Sequence, residues 1–280
     1  MDSYQLSLFS GDVPDENINK KLDTTKKSSD STNTANNLNS IDTKKEEVIL
    51  KNKEIENKSF EDLEIEKIYN NFKKLETPSR NDKELFLSEL KKIASNCKKC
   101  PLYQTKTNIV FSDGDFEAPI LLVGEGPGEN EDKTGIPFVG KAGQLLDKIL
   151  ESGGFKREND FYIINAVKCR PPQNRTPTPE EIDACYPFLE KQMEISEAQI
   201  VLLSGATAMK AVLKINAGIT KMRGEWIEKN GKYLMPIFHP SYLLRNTSKD
   251  VGSPKWLMWQ DIKKIAQKNK ILNSNEEDSN

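Results

Sequence analysis

The stretch Ile120-Leu-Leu-Val-Gly-Glu-Gly-Pro-Gly128 is a short apolar run that leads into a glycine-rich segment. Short apolar runs that end in polar or glycine-rich segments are typical of buried strands. Four such runs follow residue 115 and predict four strands. They are Ile120–Val123, Phe161–Ile164, Ile200–Leu203 and Tyr233–Phe238.

Helical patterns lie before and between these runs. They cover 84–96, Lys141–Ser152, Pro179–Ser196 and Ala206–Leu213, and a last helix is predicted to begin at Ser253-Pro254. Thr178-Pro-Glu-Glu181 has the sequence of a capping box at the start of one of these helices. Alternating strands and helices predict an α/β fold with a mainly parallel sheet covered on both faces. Such sheets bind ligands beyond the carboxyl ends of their strands, so chemistry is expected just after each strand.

The remainder of the chain has a composition that is typical of unfolded segments. No aromatic residue lies between Phe9 and Phe60, and the polar residues that fill this stretch cannot bury enough surface to offset the entropy of ordering. We therefore predict a disordered tail over 1–80, a folded domain over 81–270 and a disordered C-terminus over 271–280. No apolar run approaches the roughly twenty residues of a membrane span and the N-terminus lacks signal-peptide regions, so we expect a cytoplasmic protein.

Charge is unevenly distributed along the chain. The whole chain carries a net charge of −2, whereas residues 81–270 contain 28 basic and 24 acidic side chains and carry +4. The predicted domain is thus mildly basic, which permits contacts with phosphates without requiring them.

All four cysteines fall in the predicted domain, as Cys97-Lys-Lys-Cys100 and the wider pair Cys169 and Cys185. A reducing compartment argues against disulfides, and a Cys-x-x-Cys pair in such a compartment indicates metal ligation. Zinc and a [4Fe–4S] cluster both accept four thiolates. Zinc sites often repeat the tight pair, so the wide second pair favours a cluster but leaves zinc open.

The segment Gly124-Glu-Gly-Pro-Gly-Glu-Asn-Glu-Asp132 follows the first predicted strand, and its glycines would let the backbone approach a ligand closely. It is not a dinucleotide fingerprint, because its third glycine is misplaced, and it is not a Walker loop, because it lacks Gly-Lys-Ser/Thr. Its carboxylates Glu125, Glu129 and Asp132 could bind magnesium. This segment alone therefore leaves a magnesium-dependent nuclease or phosphatase open.

Two more polar residues stand at predicted strand ends. Asn165 follows the second run, and its amide offers a donor and an acceptor side by side, which match the edge of a pyrimidine. His239 follows the last run and is the only histidine of the chain. Taken singly, an asparagine that closes a turn and a histidine with a structural role are the alternatives.

Together these motifs resemble those of the family 4 uracil-DNA glycosylases over about residues 85–268. The matching motifs are the four cysteines, Gly124–Gly128, Gly135-Ile-Pro-Phe-Val-Gly140 with Ala142-Gly143, Asn165, and His239-Pro-Ser-Tyr-Leu-Leu-Arg-Asn246. The resemblance implies a three-layer α/β/α sandwich around a four-stranded parallel sheet. It also implies a structural [4Fe–4S] cluster, whose ligands would be Cys97, Cys100, Cys169 and Cys185. The expected protein is a monomeric, monofunctional enzyme that flips uracil out of DNA and hydrolyses its N-glycosidic bond.

The resemblance implies a role for each residue that would contact DNA. Leu244 or Arg245 would fill the gap that the flipped nucleotide leaves. Phe138 would stack on the base, and the Asn165 amide would select uracil because cytosine presents the opposite polarity. Glu131 matches a family position suspected of crowding the C5-methyl group of thymine.

Two residues are candidates for catalysis itself. His239 would stabilise the negative charge that develops on the departing uracil. Glu125 would orient the attacking water or the sugar. It is the candidate because Gly126 stands where the related family 1 enzymes have an aspartate. Gly126 itself would lie against the substrate. This glycine leaves open an alternative, a cluster-stabilised DNA-binding module of the same fold without catalysis.

The N-terminal residues Gln5, Leu6, Ser7, Leu8 and Phe9 resemble the peptide by which bacterial repair proteins dock on the DNA polymerase sliding clamp. An isolated apolar cluster at the tip of a polar tail has no core of its own to join, and a groove on a partner would bury it. We expect this peptide to recruit the enzyme to the clamp.

Overall fold

The structure, a computed structural model, describes residues 58–277 of the chain. The helices are α1 Phe60–Phe72, α2 Arg80–Asn96, α3 Glu129–Thr134, α4 Lys141–Ser152, α5 Arg157–Asp160, α6 Pro179–Ile195, α7 Ala206–Leu213, α8 Ile219–Met222, α9 Pro240–Arg245 and α10 Pro254–Glu277. The strands are β1 Asp113–Gly114, β2 Ile120–Gly124, β3 Phe161–Asn165, β4 Ile200–Ser204, β5 Ile227–Lys229 and β6 Lys232–Ile237. Two 3₁₀ turns cover Pro101–Gln104 and Pro172–Asn174.

The described strands form one mixed sheet in the order β1-β3-β2-β4-β6-β5. The four central strands are parallel and are the four predicted ones, which confirms the predicted α/β class. The expectation of only four strands was wrong. β1 and β5 pair antiparallel at the two edges, and they are two and three residues long, too short to show an alternating pattern.

Apolar side chains of the central strands point alternately to two cores. One core joins Leu121, Val123 and Tyr162 to helices α1, α2, α6 and α7. The other joins Leu122 and Ile163 to α4 and α10. Since both faces are covered, the strands are continuous buried runs without polar alternation, as is usual for parallel sheets.

Helical structure is present before the predicted domain boundary near residue 81. Helix α1 packs on α2, with the ring centroids of Phe72 and Phe86 5.1 Å apart and Ile65 buried in the core. The capping box Thr178–Glu181 is formed at the start of α6, as predicted. At the other end α10 continues to Glu277, past the predicted limit of residue 270. Among residues 58–277 no helix is both long and apolar enough to cross a membrane.

Candidate active site

The carboxyl ends of β2, β3 and β6 open onto one cavity of about 260 Å³, which we call the strand-end cavity. Its lining combines the predicted base-binding and catalytic residues with a loop that follows β3. The lining residues are Glu125, Gly126, Pro127, Gly128, Glu131, Phe138, Ala142, Asn165, Pro171, Asn174, Arg175, Pro177, His239 and Ser241. Six of the predicted site residues, from separate parts of the sequence, therefore come together.

Asn165 and Phe138 meet over Gly124. A Cβ atom at Gly124 would lie 2.2 Å from Asn165 Oδ1 and 2.6 Å from the Phe138 ring, so only glycine fits beneath them. Asn165 is buried, and its Oδ1 is an acceptor without a hydrogen-bond partner in the described part of the chain. A buried acceptor of this kind costs free energy unless a ligand supplies a donor. Since Asn165 lines the strand-end cavity, this acceptor is available to a ligand there.

The segment that carries Phe138 is held on both sides. Phe138 has a φ of 54°, in the left-handed region that a bulky residue rarely adopts. Arg157 donates to the carbonyl oxygens of Pro137 and Phe138 at 2.6 and 3.1 Å. Glu131 accepts from the backbone N–H groups of residues 139 and 140 at 3.0 and 2.7 Å. The surrounding contacts thus maintain the unusual backbone of the aromatic residue.

His239 caps α9 and lies beside Phe138, with the ring centroids 5.7 Å apart. The backbone N–H of Ser241 donates to His239 Nδ1 at 3.2 Å, which makes Nδ1 the acceptor and leaves the proton of the neutral ring on Nε2. Burial, assisted by the positive charge of Arg245, lowers the pKa of His239 to about 4. The imidazole is therefore neutral near pH 7 and presents an N–H donor.

Glu125 lies at the end of β2, and its carboxylate accepts a hydrogen bond from the Thr207 hydroxyl, at the start of α7. This contact orients the carboxylate at the cavity wall. Gly126 follows, and a Cβ there would lie 2.7 Å from a methyl group of Val167, so the backbone passes close to the segment after β3.

The three carboxylates that left a magnesium site open are separated. Glu129 pairs with Lys133 on the surface, and Asp132 Oδ1 accepts the backbone N–H of Thr107 at 2.9 Å. Of the three, only Glu125 lines the strand-end cavity. Within residues 58–277 no group of three or more acidic, histidine or cysteine side chains is arranged to hold one metal ion.

The predicted wedge residues lie at the end of α9, the short helix that begins beside the cavity. Leu244 is 43% exposed although its neighbour Leu243 is buried in the core. Arg245 is exposed as well. Both exposed side chains therefore lie at the end of the short helix that His239 caps.

The four cysteines line a second cavity, which we call the cysteine cavity, together with Lys99, Tyr103, Lys168 and Phe188. All four are free thiols. Burial raises the pKa of Cys169 to about 12 and that of Cys185 to about 11, because a thiolate there loses its hydration. Four thiolates in this cavity would therefore need positive charge beside them, which bound metal supplies.

Four residues that support these two cavities were missed by the sequence analysis. Thr207, Ser241 and Lys168 lie shortly after strands β4, β6 and β3, so the rule that placed chemistry after strands could have found them. Arg157 carries no such signal, because it precedes β3 and donates to carbonyl oxygens of a distant segment.

A larger cavity of about 530 Å³ lies elsewhere, between α4, α9 and α10. It is lined by aliphatic side chains, two tryptophans and three lysines, and it contains none of the predicted site residues. We assign the chemistry to the smaller strand-end cavity because polar groups converge there.

Comparison with known proteins agrees with this geometry. Residues 111–263 match the model of the uracil DNA glycosylase superfamily. A type-4 uracil-DNA glycosylase of Thermotoga maritima is 49% identical over 172 residues, which cover 60% of this chain and 86% of that protein. A type-4 enzyme of Sulfurisphaera tokodaii is 40% identical over 190 residues, 65% of this chain and 84% of its own length. A type-5 uracil-DNA glycosylase of Pyrobaculum aerophilum is 34% identical over 152 residues, 49% of this chain and 67% of its own length. The chain belongs to the uracil-DNA glycosylase superfamily and, within it, to the type-4 enzymes.

Proposed function

We propose that the strand-end cavity is the uracil site of this enzyme, which excises uracil from DNA during repair. The observation that carries the assignment is the buried, unpaired Oδ1 of Asn165 beside an aromatic ring and an imidazole. A noncatalytic DNA-binding module does not account for a cavity with this set of groups.

Base selection follows from the polarity of the amide. Asn165 Oδ1 would accept uracil N3–H, and its NH₂ group would donate to O4. Cytosine presents an acceptor at N3, so two acceptors would face each other in a buried site, at a cost of about 1–3 kcal/mol for each unpaired group. Phe138 would stack on the base and add affinity that does not distinguish between pyrimidines.

Glu131 would help to exclude thymine. Its carboxylate binds the backbone of residues 139 and 140, so it fixes how closely the segment after Phe138 approaches the base. We propose that the segment, held in this position by Glu131, leaves no room for a C5-methyl group on the base.

Bond cleavage places negative charge on uracil and positive charge on the sugar. The Nε2–H of the neutral His239 would donate to uracil O2 as the charge develops, in an environment of low polarity where such a donor is most effective. Glu125 would accept a hydrogen bond from the attacking water or stabilise the cationic sugar. Gly126 would let the backbone lie against the substrate.

Flipping the nucleotide costs a few kcal/mol of unstacking. Leu244 or Arg245 would occupy the vacated position in the duplex, since both are exposed at the end of α9. The mildly basic composition of the domain suits the accompanying phosphate contacts.

The cysteine cavity would hold a [4Fe–4S] cluster through Cys97, Cys100, Cys169 and Cys185. Two observations support this proposal: four free thiols line one cavity, and the chain is similar to type-4 enzymes. When bound, the cluster would supply a cross-link between the end of α2, the segment after β3, and α6.

The N-terminal peptide Gln5–Phe9 lies outside the described residues, and its recruitment to a sliding clamp remains our proposal. A pull-down with purified clamp tests it through the double variant Leu8→Ala, Phe9→Ala. Unaltered capture of this variant would overturn the proposal. The cytoplasmic location and the monomeric state stay predictions.

The decisive experiment is incubation of the full chain with an oligonucleotide that contains one uracil, followed by alkaline cleavage. We expect strand breaks at the uracil and none at cytosine or thymine. EDTA should leave the rate unchanged, whereas a magnesium-dependent hydrolase would stop. Absence of an abasic product at every salt concentration would refute the assignment.

A further inference from the structure

Lys168 is a charged residue that the proposed reaction does not use, and it is 2% exposed. Its Nζ donates to the main-chain oxygen of Asn165 at 2.8 Å. Burial of an ammonium group is costly unless negative charge and hydrogen-bond acceptors surround it.

The location of Lys168 explains how this cost is offset. Its side chain lines the cysteine cavity together with the four cysteines. Four thiolates that ligate a cluster are anionic, and a buried cation beside them is stabilised while it also stabilises them. One carbonyl oxygen, that of Asn165, receives the hydrogen bond of the same ammonium group.

The acceptor of the Lys168 hydrogen bond belongs to Asn165, the proposed base-reading residue. Asn165 is the last residue of β3, and the backbone N–H groups of Ala166 and Val167 donate to the oxygens of Gly124 and Glu125 at 2.9 and 3.2 Å. The Lys168 bond adds a constraint on the Asn165 carbonyl from the side of the cysteines. The peptide that orients the amide therefore lies between the substrate and the cysteine cavity.

We infer that Lys168 is a positioning residue that couples the two cavities, because its side chain lines the cysteine cavity and its ammonium group holds the main-chain oxygen of the uracil-reading Asn165. This inference rests on the proposed roles of Asn165 and of the cluster. It gives the cluster a second consequence besides cross-linking, since its charge retains the cation that fixes the base-reading strand end.

The test compares three variants of the full-length enzyme. Lys168→Met keeps the aliphatic stem but removes both donor and charge, and Lys168→Gln keeps a donor without the charge. Lys232→Met is the matched control, because Lys232 also donates to two main-chain oxygens, those of Ser196 and Ala198, away from both cavities. Each protein is assayed for kcat and KM on the uracil oligonucleotide, for iron content, and for the rate at which a chelator bleaches its visible absorbance.

We expect Lys168→Met to lower kcat/KM by about 10–100-fold and to bleach faster, in the range seen when residues behind metal ligands are changed. Lys168→Gln should recover part of the excision rate but bleach as fast as the Met variant. Lys232→Met should match the wild type in both assays.

The inference fails if Lys168→Met keeps wild-type kcat/KM and bleaching, or if it lowers only the thermal midpoint, as the control variant could. If Lys168→Met does not fold, Lys168→Gln decides: unchanged bleaching overturns the inference. An inactive wild-type enzyme that binds iron would instead refute the proposed function and is thus distinguishable.

Discussion

The strand-end cavity and the cysteine cavity share the segment from Asn165 to Cys185 but use it in different ways. The strand-end cavity gathers unlike polar groups, and one of them, Asn165 Oδ1, has no hydrogen-bond partner within residues 58–277. The cysteine cavity gathers four identical groups whose charged forms burial disfavours. The strand-end cavity suits a ligand that is bound and released, whereas the cysteine cavity suits a group that stays bound. Changes in the two cavities should therefore affect different quantities.

The largest effect is expected in the cysteine cavity. Cys169→Ser removes a proposed cluster ligand from the segment that follows β3, so we predict loss of most of the iron that the wild type would bind and of most soluble, cooperatively folding protein. Iron content, visible absorbance and thermal unfolding measure this. A variant that keeps the iron and the wild-type melting temperature would show that Cys169 is not a ligand.

Asn165→Ala changes the strand-end cavity and should lower activity without affecting iron binding or stability. We predict that kcat/KM for uracil falls about 10³-fold, since the groups that read the base are lost, while iron content and melting temperature stay near those of the wild type. Asn159→Ala, at an exposed position on α5, is the control. A large loss of iron in Asn165→Ala, but not in the control, would show that the two cavities do not affect separate quantities.

His239→Ala should lower kcat about 10²-fold, because one donor to the developing anion is removed. It should also change the pH dependence of stability. The pKa of His239 is about 4 in the folded protein against an ordinary 6.5, so the unfolded chain takes up the proton first as the pH falls. Wild-type stability should therefore decline from about pH 6.5 toward 4, and the variant should decline less. Urea unfolding at pH 7 and pH 5 measures this, and equal declines would contradict the buried neutral imidazole.

Arg157→Met is expected to have the smallest of these effects. It releases the carbonyl oxygens of Pro137 and Phe138 and the carboxylates of Asp113 and Asp147, so we predict about a 10-fold loss in kcat/KM, mainly through KM. Arg80→Met is the control, because Arg80 also bridges carboxylates outside the cavity lining, those of Glu84, Asp115 and Glu117. Equal kinetics for the two variants would show that Arg157 has no part in placing the ring.

The features that follow from local sequence patterns, the central strands above all, were predicted. Buried parallel strands are continuous apolar runs, so all four central strands were found within one or two residues, and residues that follow them line the cavity. Phe60–Phe72 was missed because its polar surroundings concealed a helix whose Ile65 and Phe72 become buried or partly buried only against α2. No local pattern could show that Arg157 binds the carbonyl oxygens of Pro137 and Phe138, or that Glu131 binds backbone N–H groups.

The left-handed backbone at Phe138 restricts which residue can stand in helix α4 beneath it. A Cβ at Gly143, in the first turn of α4, would lie 1.7 Å from the carbonyl oxygen of Phe138. The stacking surface is thus built into the scaffold before any base arrives, and no loop has to close to create it. A larger side chain at Gly143, a position that does not line the cavity, would displace the aromatic platform as surely as a change of the ring itself.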